Sequence, residues 1–309
     1  MGKISVVIPC YRSEGSLPKV VAEIGEAMNA REQDYEVVLV DDCSPDNTYH
    51  VIRELVAADS HVKGITLMRN FGQHAALMAG FHHVSGDTIV CLDDDGQTPA
   101  DEIFTLVDRL GDSADVVYAR YESKKHSLFR NIGSLVNDRM TCWLLGKPKD
   151  LFLSSYFAAK RLVIEEIKRY QNPYPYLGGL VLRTTRKVIN ADVHHRQRQS
   201  GSSNYTLRKL LSLWMNGFTS FSIKPLRVAT FSGMVCAILG FLYGISIIIH
   251  RLFNANVQLG YSSIMSVLLF VGGLIMLMLG MIGEYIGRIF ISLNAMPQFI
   301  VKEVLTRNE

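Results

Sequence analysis

Along residues 1–110, short β-branched runs alternate with stretches in which apolar side chains recur every three or four positions. Ile4 to Pro9 (ISVVIP), Tyr35 to Val40 (YEVVLV), Gly64 to Met68 (GITLM) and Thr88 to Leu92 (TIVCL) read as strands. Ser16 to Ala30, Asn47 to Ala58, Gln73 to Val84 and Pro99 to Leu110 read as the helices that follow them. In the first of these helices, Leu17, Val20, Val21, Ile24, Ala27 and Met28 fall on one face. Four strand–helix units in succession predict an α/β domain with a mostly parallel sheet and helices on both faces. Ligands in such sheets bind outside the carboxyl ends of the strands.

The pattern changes downstream. Val228 to Ile249 is 22 residues without a charge, and Tyr261 to Gly283 is a further 23. At about 1.5 Å rise per residue each is long enough for a hydrocarbon core of roughly 30 Å. A buried core helix needs only about 10–14 apolar residues, so two transmembrane helices are expected, at about 228–249 and 261–283. Lys224 and Arg227 precede the first span and Arg288, Lys302 and Arg307 follow the second, whereas the connection carries one base, Arg251. The positive-inside rule then places both termini in the cytoplasm, in a multi-pass protein of the cytoplasmic membrane. The apolar run Ile4 to Pro9 is short for a signal-peptide core, so residues 1–205 are expected to form a cytosolic domain and 288–309 a cytosolic tail. Residues 206–227, with Trp214 and Phe218 beside Arg208 and Lys209, suit an amphipathic interfacial helix, or one packed on the domain itself. Glycines at 240 and 244, and at 283 and 287, have a spacing that lets helices approach, which leaves room for a homo-oligomer.

Apolar residues make up 48% of the chain and concentrate in these runs, while a formal charge of +3 is too mild to indicate nucleic acid. The five cysteines lack metal-ligand or CxxC spacing and are expected to be free thiols.

Candidate chemistry sits where the strands end. Pro9, Tyr11 and Glu14 follow the first strand; Asp41, Asp42, Ser44 and Asp46 the second; Arg69, Asn70 and Gln73 the third; Asp93, Asp94, Asp95 and Gln97 the fourth. One polar cluster at a turn is ordinary, but four on one sheet edge indicate a site. Neither GxGxxG nor GxxxxGK[ST] is present, which excludes the usual dinucleotide and P-loop fingerprints. Three adjacent carboxylates raise one another's pKa unless a cation neutralises them. Mg²⁺ or Mn²⁺, shared with substrate phosphates, would do so; a solvated acidic turn capping the helix after Pro99 is the plainer reading. Further along, Arg120, Arg130 and Arg198 offer planar forks for phosphate, or a basic face for anionic lipid.

In order, the segments Val7 to Tyr11, Val40 to Asp46, Arg69 to Gly80, Asp93 to Gln97 and Arg198 to Tyr205 resemble the family 2 glycosyltransferases of GT-A fold. Within them the chain resembles the polyprenyl-phosphate glycosyltransferases, a likeness that extends to the ending from Gly280 to Arg288. The family often has leucine where Gly96 stands and lysine where Asn204 stands.

The resemblance implies a GT-A catalytic domain followed by interfacial helices and a transmembrane hairpin. Pro9, Tyr11, Glu14, Asp41, Asp42, Asn70, Gln73 and Asp93 would bind the nucleotide sugar, UDP-linked rather than GDP-linked. Asp93, Asp95 and Gln97 would hold Mg²⁺ or Mn²⁺. Arg120, Arg130, Ser134, Arg198, Ser203 and Tyr205 would receive the acceptor phosphate, with Asp94, Asp95, Arg120, Arg130 and Arg198 carrying the chemistry. The implied reaction is an inverting, metal-dependent transfer to a polyprenyl phosphate, undecaprenyl phosphate in particular, upstream of a flippase or second glycosyltransferase. A processive polysaccharide synthase fits less well, since QxxRW is absent and two spans make no channel. A catalytically silent nucleotide-sugar-binding membrane partner is the remaining alternative.

Overall fold

A computed structural model describes residues 2–96, 98–121, 142, 146–194, 224–253, 260–293 and 296–307. The chain divides into two compact units, one formed by Met1–Thr206 with Ala295–Glu309, the other by Leu207–Asn294.

The first unit is built on an eight-stranded sheet. Its opening follows the sequence pattern closely. Strands β1 (Ile4–Cys10), β2 (Tyr35–Asp41), β3 (Val62–Leu67) and β4 (Thr88–Cys91) alternate with helices α1 (Leu17–Asn29), α2 (Thr48–Ala58) and α3 (Gln73–Phe81). A short 3₁₀ turn, Ala100–Glu102, then leads into α4 (Ile103–Val107). β1 pairs parallel with β2 and β4, and β2 parallel with β3. Every residue of β1 and β2 is buried, as expected of strands covered on both faces. Alternation sends Ile4, Val6 and Ile8 into the cluster that holds Leu17, Ile24 and Met28 of α1. Val7 and Val40 point the other way, toward α3. There a Cβ on Gly80 would collide with Val7 Cγ1 and meet Val40 Cγ2 at 3.2 Å, so the small residues of α3 set how closely it lies on the sheet.

Four more strands complete the sheet: β5 (Val116–Tyr121), β6 (Phe157–Lys160), β7 (Val188–Val193) and β8 (Val301–Leu305). The order is β7-β5-β6-β4-β1-β2-β3-β8. β6 runs antiparallel to both β4 and β5, and β8 antiparallel to β3, while β5 pairs parallel with β7, so the sheet is mostly parallel, as expected, with two reversed strands. Helices α5 (Arg161–Lys168) and α6 (Leu177–Thr184) follow β6. The C-terminal segment therefore contributes an edge strand to this sheet, a role its alternating charges did not advertise.

The second unit contains two long helices, α7 (Lys224–Phe253) and α8 (Tyr261–Leu293). Among the described residues one helix is long and apolar enough to cross a membrane, over Phe270–Gly287, and Ala229–Tyr243 is a shorter apolar stretch. The interfacial helix expected within 206–227 lies almost wholly outside the described residues.

Candidate active site

In the order β3-β2-β1-β4 the chain leaves β1 in opposite directions, and the crevice between the carboxyl ends of β1 and β4 is the topological switch point of the sheet. The loops after those two strands meet there. Asp94 Oδ2 accepts a hydrogen bond from the Tyr11 backbone N–H at 3.1 Å and one from the Ser13 hydroxyl. The Ser16 hydroxyl donates to the Asp94 carbonyl at 2.6 Å. Asp94 thus fixes the shape of the loop that carries Tyr11, a residue left 44% exposed.

Asp93 is held on both sides: Gln73 Nε2 donates to its Oδ1 at 3.0 Å, and the Ser155 hydroxyl donates to its Oδ2. Burial, opposed by the Ser155 hydrogen bond and reinforced by Asp95 and Asp94, pushes its pKa up to about 6. Asp94 is raised as well, chiefly by burial. Two carboxylates that ionise reluctantly at one strand end are an unfilled demand for positive charge. Among the described residues no three His, Cys, Asp or Glu side chains form a ready-made metal cage. The set fits a hard divalent cation of the kind that takes one or two carboxylates and completes its shell with substrate phosphate. Gln97, the third expected ligand, lies outside the described residues.

The second strand's carboxylates serve as stitches. Both oxygens of Asp42 are occupied, by the backbone N–H groups of Phe71 (2.7 Å) and Gly72 (2.8 Å), and Asn70 Nδ2 donates to the Asp42 carbonyl at 3.3 Å. Asp41 Oδ1 accepts from the Ser44 N–H at 2.9 Å. Burial raises the pKa of both. Glu14 Oε2 accepts the Asn47 N–H at 3.0 Å, beside the start of α2. Pro9 is the next-to-last residue of β1, paired with Val40 of β2. Arg12 (φ 60°) and Cys43 (φ 55°) are left-handed residues in the loops after β1 and β2, a strain that neighbouring hydrogen bonds sustain. Pro9, Tyr11, Glu14, Asp41, Asp42, Asn70, Gln73 and Asp93 to Asp95 are therefore gathered on one sheet edge.

The expected acceptor side is different. Arg120, near the end of β5, donates Nε to Asp192 Oδ1 at 2.6 Å and Nη2 to Oδ2 at 3.1 Å, so a phosphate would have to displace Asp192 from its fork. Arg130, Ser134, Arg198, Ser203, Asn204 and Tyr205 lie outside the described residues. Sequence reasoning missed Ser13, Ser16 and Ser155, whose hydroxyls hold Asp93 and Asp94. Ser155 is 62 positions from Asp93 and carries no local signal. It also missed His74, which lies edge-on to Tyr176 with ring centroids 5.5 Å apart. The His74 Nδ1 is buried without a partner, and burial lowers its pKa to about 4, so the ring stays neutral.

A family model described as glycosyl transferase family 2 matches residues 5–167, and one described as the GtrB C-terminal hairpin matches residues 224–289. Glucosyl-3-phosphoglycerate synthase from Mycobacterium tuberculosis, solved with Mn²⁺, uridine diphosphate and phosphoglyceric acid, is 19% identical. It superposes with a TM-score of 0.52, over 70% of this chain and 75% of that one. The same enzyme with Mn²⁺, UDP-glucose and phosphoglyceric acid gives 0.53 at 18% identity, over 71% and 78%. A further mycobacterial protein gives 0.52 at 22% identity, over 69% and 71%. At these identities the solved structures establish the shared fold.

Proposed function

The chain belongs to glycosyl transferase family 2, and we propose that it transfers a sugar from a UDP-sugar to a polyprenyl phosphate, undecaprenyl phosphate in particular, at the cytoplasmic face of a membrane. It is a glycosyltransferase carrying a GtrB-type hairpin. The observation that carries the proposal is the pairing, in one chain, of an acidic switch-point site with an apolar hairpin whose two ends both return to the same sheet unit. Any bilayer crossing within 207–294 must be undone before β8 joins β3, so the number of crossings is even. Two crossings, by α7 and α8, meet that condition.

The donor diphosphate belongs at the acidic edge between β1 and β4. Mg²⁺ or Mn²⁺, the latter present in the synthase complexes, would, if bound there, offer positive charge to a diphosphate leaving group. Asp93 and Asp95 are its ligands in this reading, with Gln97 completing the set. Gln73 and Ser155 hold the Asp93 carboxylate in place, while Asp94 holds the Tyr11 loop against the nucleotide. A phosphate monoester has a second pKa of about 6, so the acceptor is already an anionic nucleophile at neutral pH and requires no catalytic base. Its oxygen attacks the anomeric carbon, the bond from that carbon to the donor phosphate breaks, and the nucleoside diphosphate leaves with inversion. Arg120 exchanges Asp192 for the acceptor phosphate, joined by Arg130, Ser134 and Arg198, with Ser203 and Tyr205 from the loop that follows.

The test is incubation of the full chain in detergent with Mn²⁺ or Mg²⁺, undecaprenyl phosphate and a panel of UDP- and GDP-sugars, followed by mass spectrometry of the lipid. A metal-dependent lipid-linked sugar is expected, and chelation should remove it. Transfer to a water-soluble phosphorylated acceptor, with none to the lipid, would overturn the acceptor assignment.

A further inference from the structure

Alternation along β5 and β7 sorts their side chains between the two faces of the sheet. Val117, Ala119, Ala191 and Val193 enter the main core cluster, so Tyr118, Arg120, Asn190 and Asp192 belong to the opposite face. The parallel register sets Tyr118 opposite Asn190 and Arg120 opposite Asp192. The Arg120–Asp192 fork is therefore two residues, about 6.5–7 Å, beyond Asn190 toward the carboxyl ends of the strands.

Asn190 spends its side-chain amide on neighbouring backbone. Its Oδ1 accepts the Phe152 N–H at 2.8 Å, while Nδ2 donates to the Phe152 carbonyl at 2.7 Å and to the Tyr118 carbonyl at 3.2 Å. Arg109 secures the strand in turn, donating Nη1 to the Asn190 carbonyl at 3.1 Å. Phe152 is thus gripped by both its main-chain groups. Leu151 before it is buried, yet Phe152 itself is 47% exposed. Three positions further on, the Ser155 hydroxyl holds Asp93 of the acidic edge. A lone exposed aromatic residue is ordinary. One whose backbone is locked by a dedicated amide, between an anion-binding fork and the acidic edge, is pre-organised for a ligand and loses little freedom when covered.

A prenyl phosphate joins its first isoprene unit to phosphorus through a single oxygen. With the phosphate on the Arg120 fork, that unit falls within one register step of the fork, where an apolar ring complements it. A water-soluble phosphorylated acceptor would bring hydroxyl or carboxylate groups to the same place, and these lose hydration against a ring without gaining a hydrogen bond. We propose that Phe152 receives the isoprene unit nearest the acceptor phosphate and is a specificity-determining residue for a prenyl over a polar acceptor, with Asn190 as its positioning residue. The inference rests on the placement of the acceptor phosphate at Arg120.

The experiment is calorimetry on the full chain in detergent with Mn²⁺ and UDP present, titrating geranyl phosphate and glycerol phosphate, which carry the same monoester on an apolar and a polar tail. Partitioning into micelles is common to all variants and cancels between them. The wild type should favour geranyl phosphate. Phe152→Ser should cut that preference about five- to ten-fold, the scale of covering half an aromatic side chain, and leave glycerol phosphate unchanged. Phe152→Leu should keep most of it. Asn190→Ala should cut the preference about two- to three-fold and cost nothing further once residue 152 is serine, a non-additivity that a merely structural role would not produce. Retention of the preference by Phe152→Ser, or an equal loss for both ligands, would overturn the assignment. Arg120→Ala should weaken both ligands alike. If it weakens neither, the acceptor placement itself fails and this inference with it; if it weakens both while Phe152→Ser changes nothing, only the role of Phe152 falls.

Discussion

In β2 every residue from Tyr35 to Asp41 is buried, whereas along α8 Phe270, Met276 and Leu293 leave 67%, 76% and 79% of their surface open. Both segments are strongly apolar, and they answer the same pressure to leave water in opposite ways. The sheet is covered by helices of its own unit, α1 and α2 on one face and α3 on the other. Two helices side by side cover only the strip where they touch, so most of the hairpin's apolar surface needs cover from outside its unit. Hydropathy thus measures how strongly a segment avoids water, and the number of neighbouring elements decides what replaces it.

That contrast can be broken from either side. The largest effect belongs to the chemistry of the sheet edge. Asp93→Asn should lower turnover by about 10³-fold, roughly 4 kcal/mol of lost transition-state stabilisation, while membrane partitioning of the full chain stays unchanged. Sugar transfer assayed beside a flotation experiment checks both halves, and near-normal turnover would remove Asp93 from the machinery. Next comes packing. Leu39→Ala, in the sheet core, should lower unfolding stability by about 2–5 kcal/mol, whereas Leu279→Ala in α8 should barely shift the melting temperature in detergent. Equal losses would mean that the hairpin is packed like a protein core.

A charge sharpens the comparison from the other side. Leu279→Arg should reduce membrane insertion by about 2.5–3.5 kcal/mol, read as a fall in the inserted fraction, and leave UDP binding intact. Insertion at the wild-type level would argue against α8 as a span. The smallest effect is electrostatic and confined to the sheet. Burial pushes the Glu36 pKa up, but the Lys63 ammonium and the Ser5 and Ser85 groups outweigh it and hold the carboxyl near about 2. A carboxyl depressed in the folded state stabilises fully above its unfolded value of about 4.5, and that contribution fades as the pH falls toward 2. It should amount to about 2–3 kcal/mol. Glu36→Gln should therefore flatten the acid limb of a stability–pH curve, and an unchanged limb would assign acid sensitivity elsewhere.

The parts of this architecture that are legible in sequence are the ones written by local periodicity. β1 through β4 and α1 through α3 lie within a few residues of their expected bounds, because each is a continuous run with its own turn chemistry. β5, β6 and β7 escaped notice since their identity depends on partners: Phe157 to Lys160 is a strand because β4 and β5 lie on either side of it. The site divides in the same way. Its carboxylates were readable, as aspartates at four strand ends concentrate on one edge by topology alone. The hydroxyls of Ser13 and Ser155 that orient them were not, for serine at a loop position is ordinary. Lys302 was legible only as a juxtamembrane base, and its place in β8, against β3, depends on a strand register that no local pattern encodes.

β8 also sets a schedule for biosynthesis. Its partner β3 is made early, but the strand that covers that edge lies beyond the hairpin, and at about 5–20 residues per second the intervening segment takes on the order of tens of seconds to synthesise. Throughout that interval the edge of β3 offers unpaired N–H and C=O groups to any passing strand. The hairpin is thus an insertion within the catalytic unit and not an appendage to it. A chain whose hairpin fails to settle leaves the sheet edge open, so folding of the hairpin and maturation of the enzyme are coupled by the order in which its parts are translated.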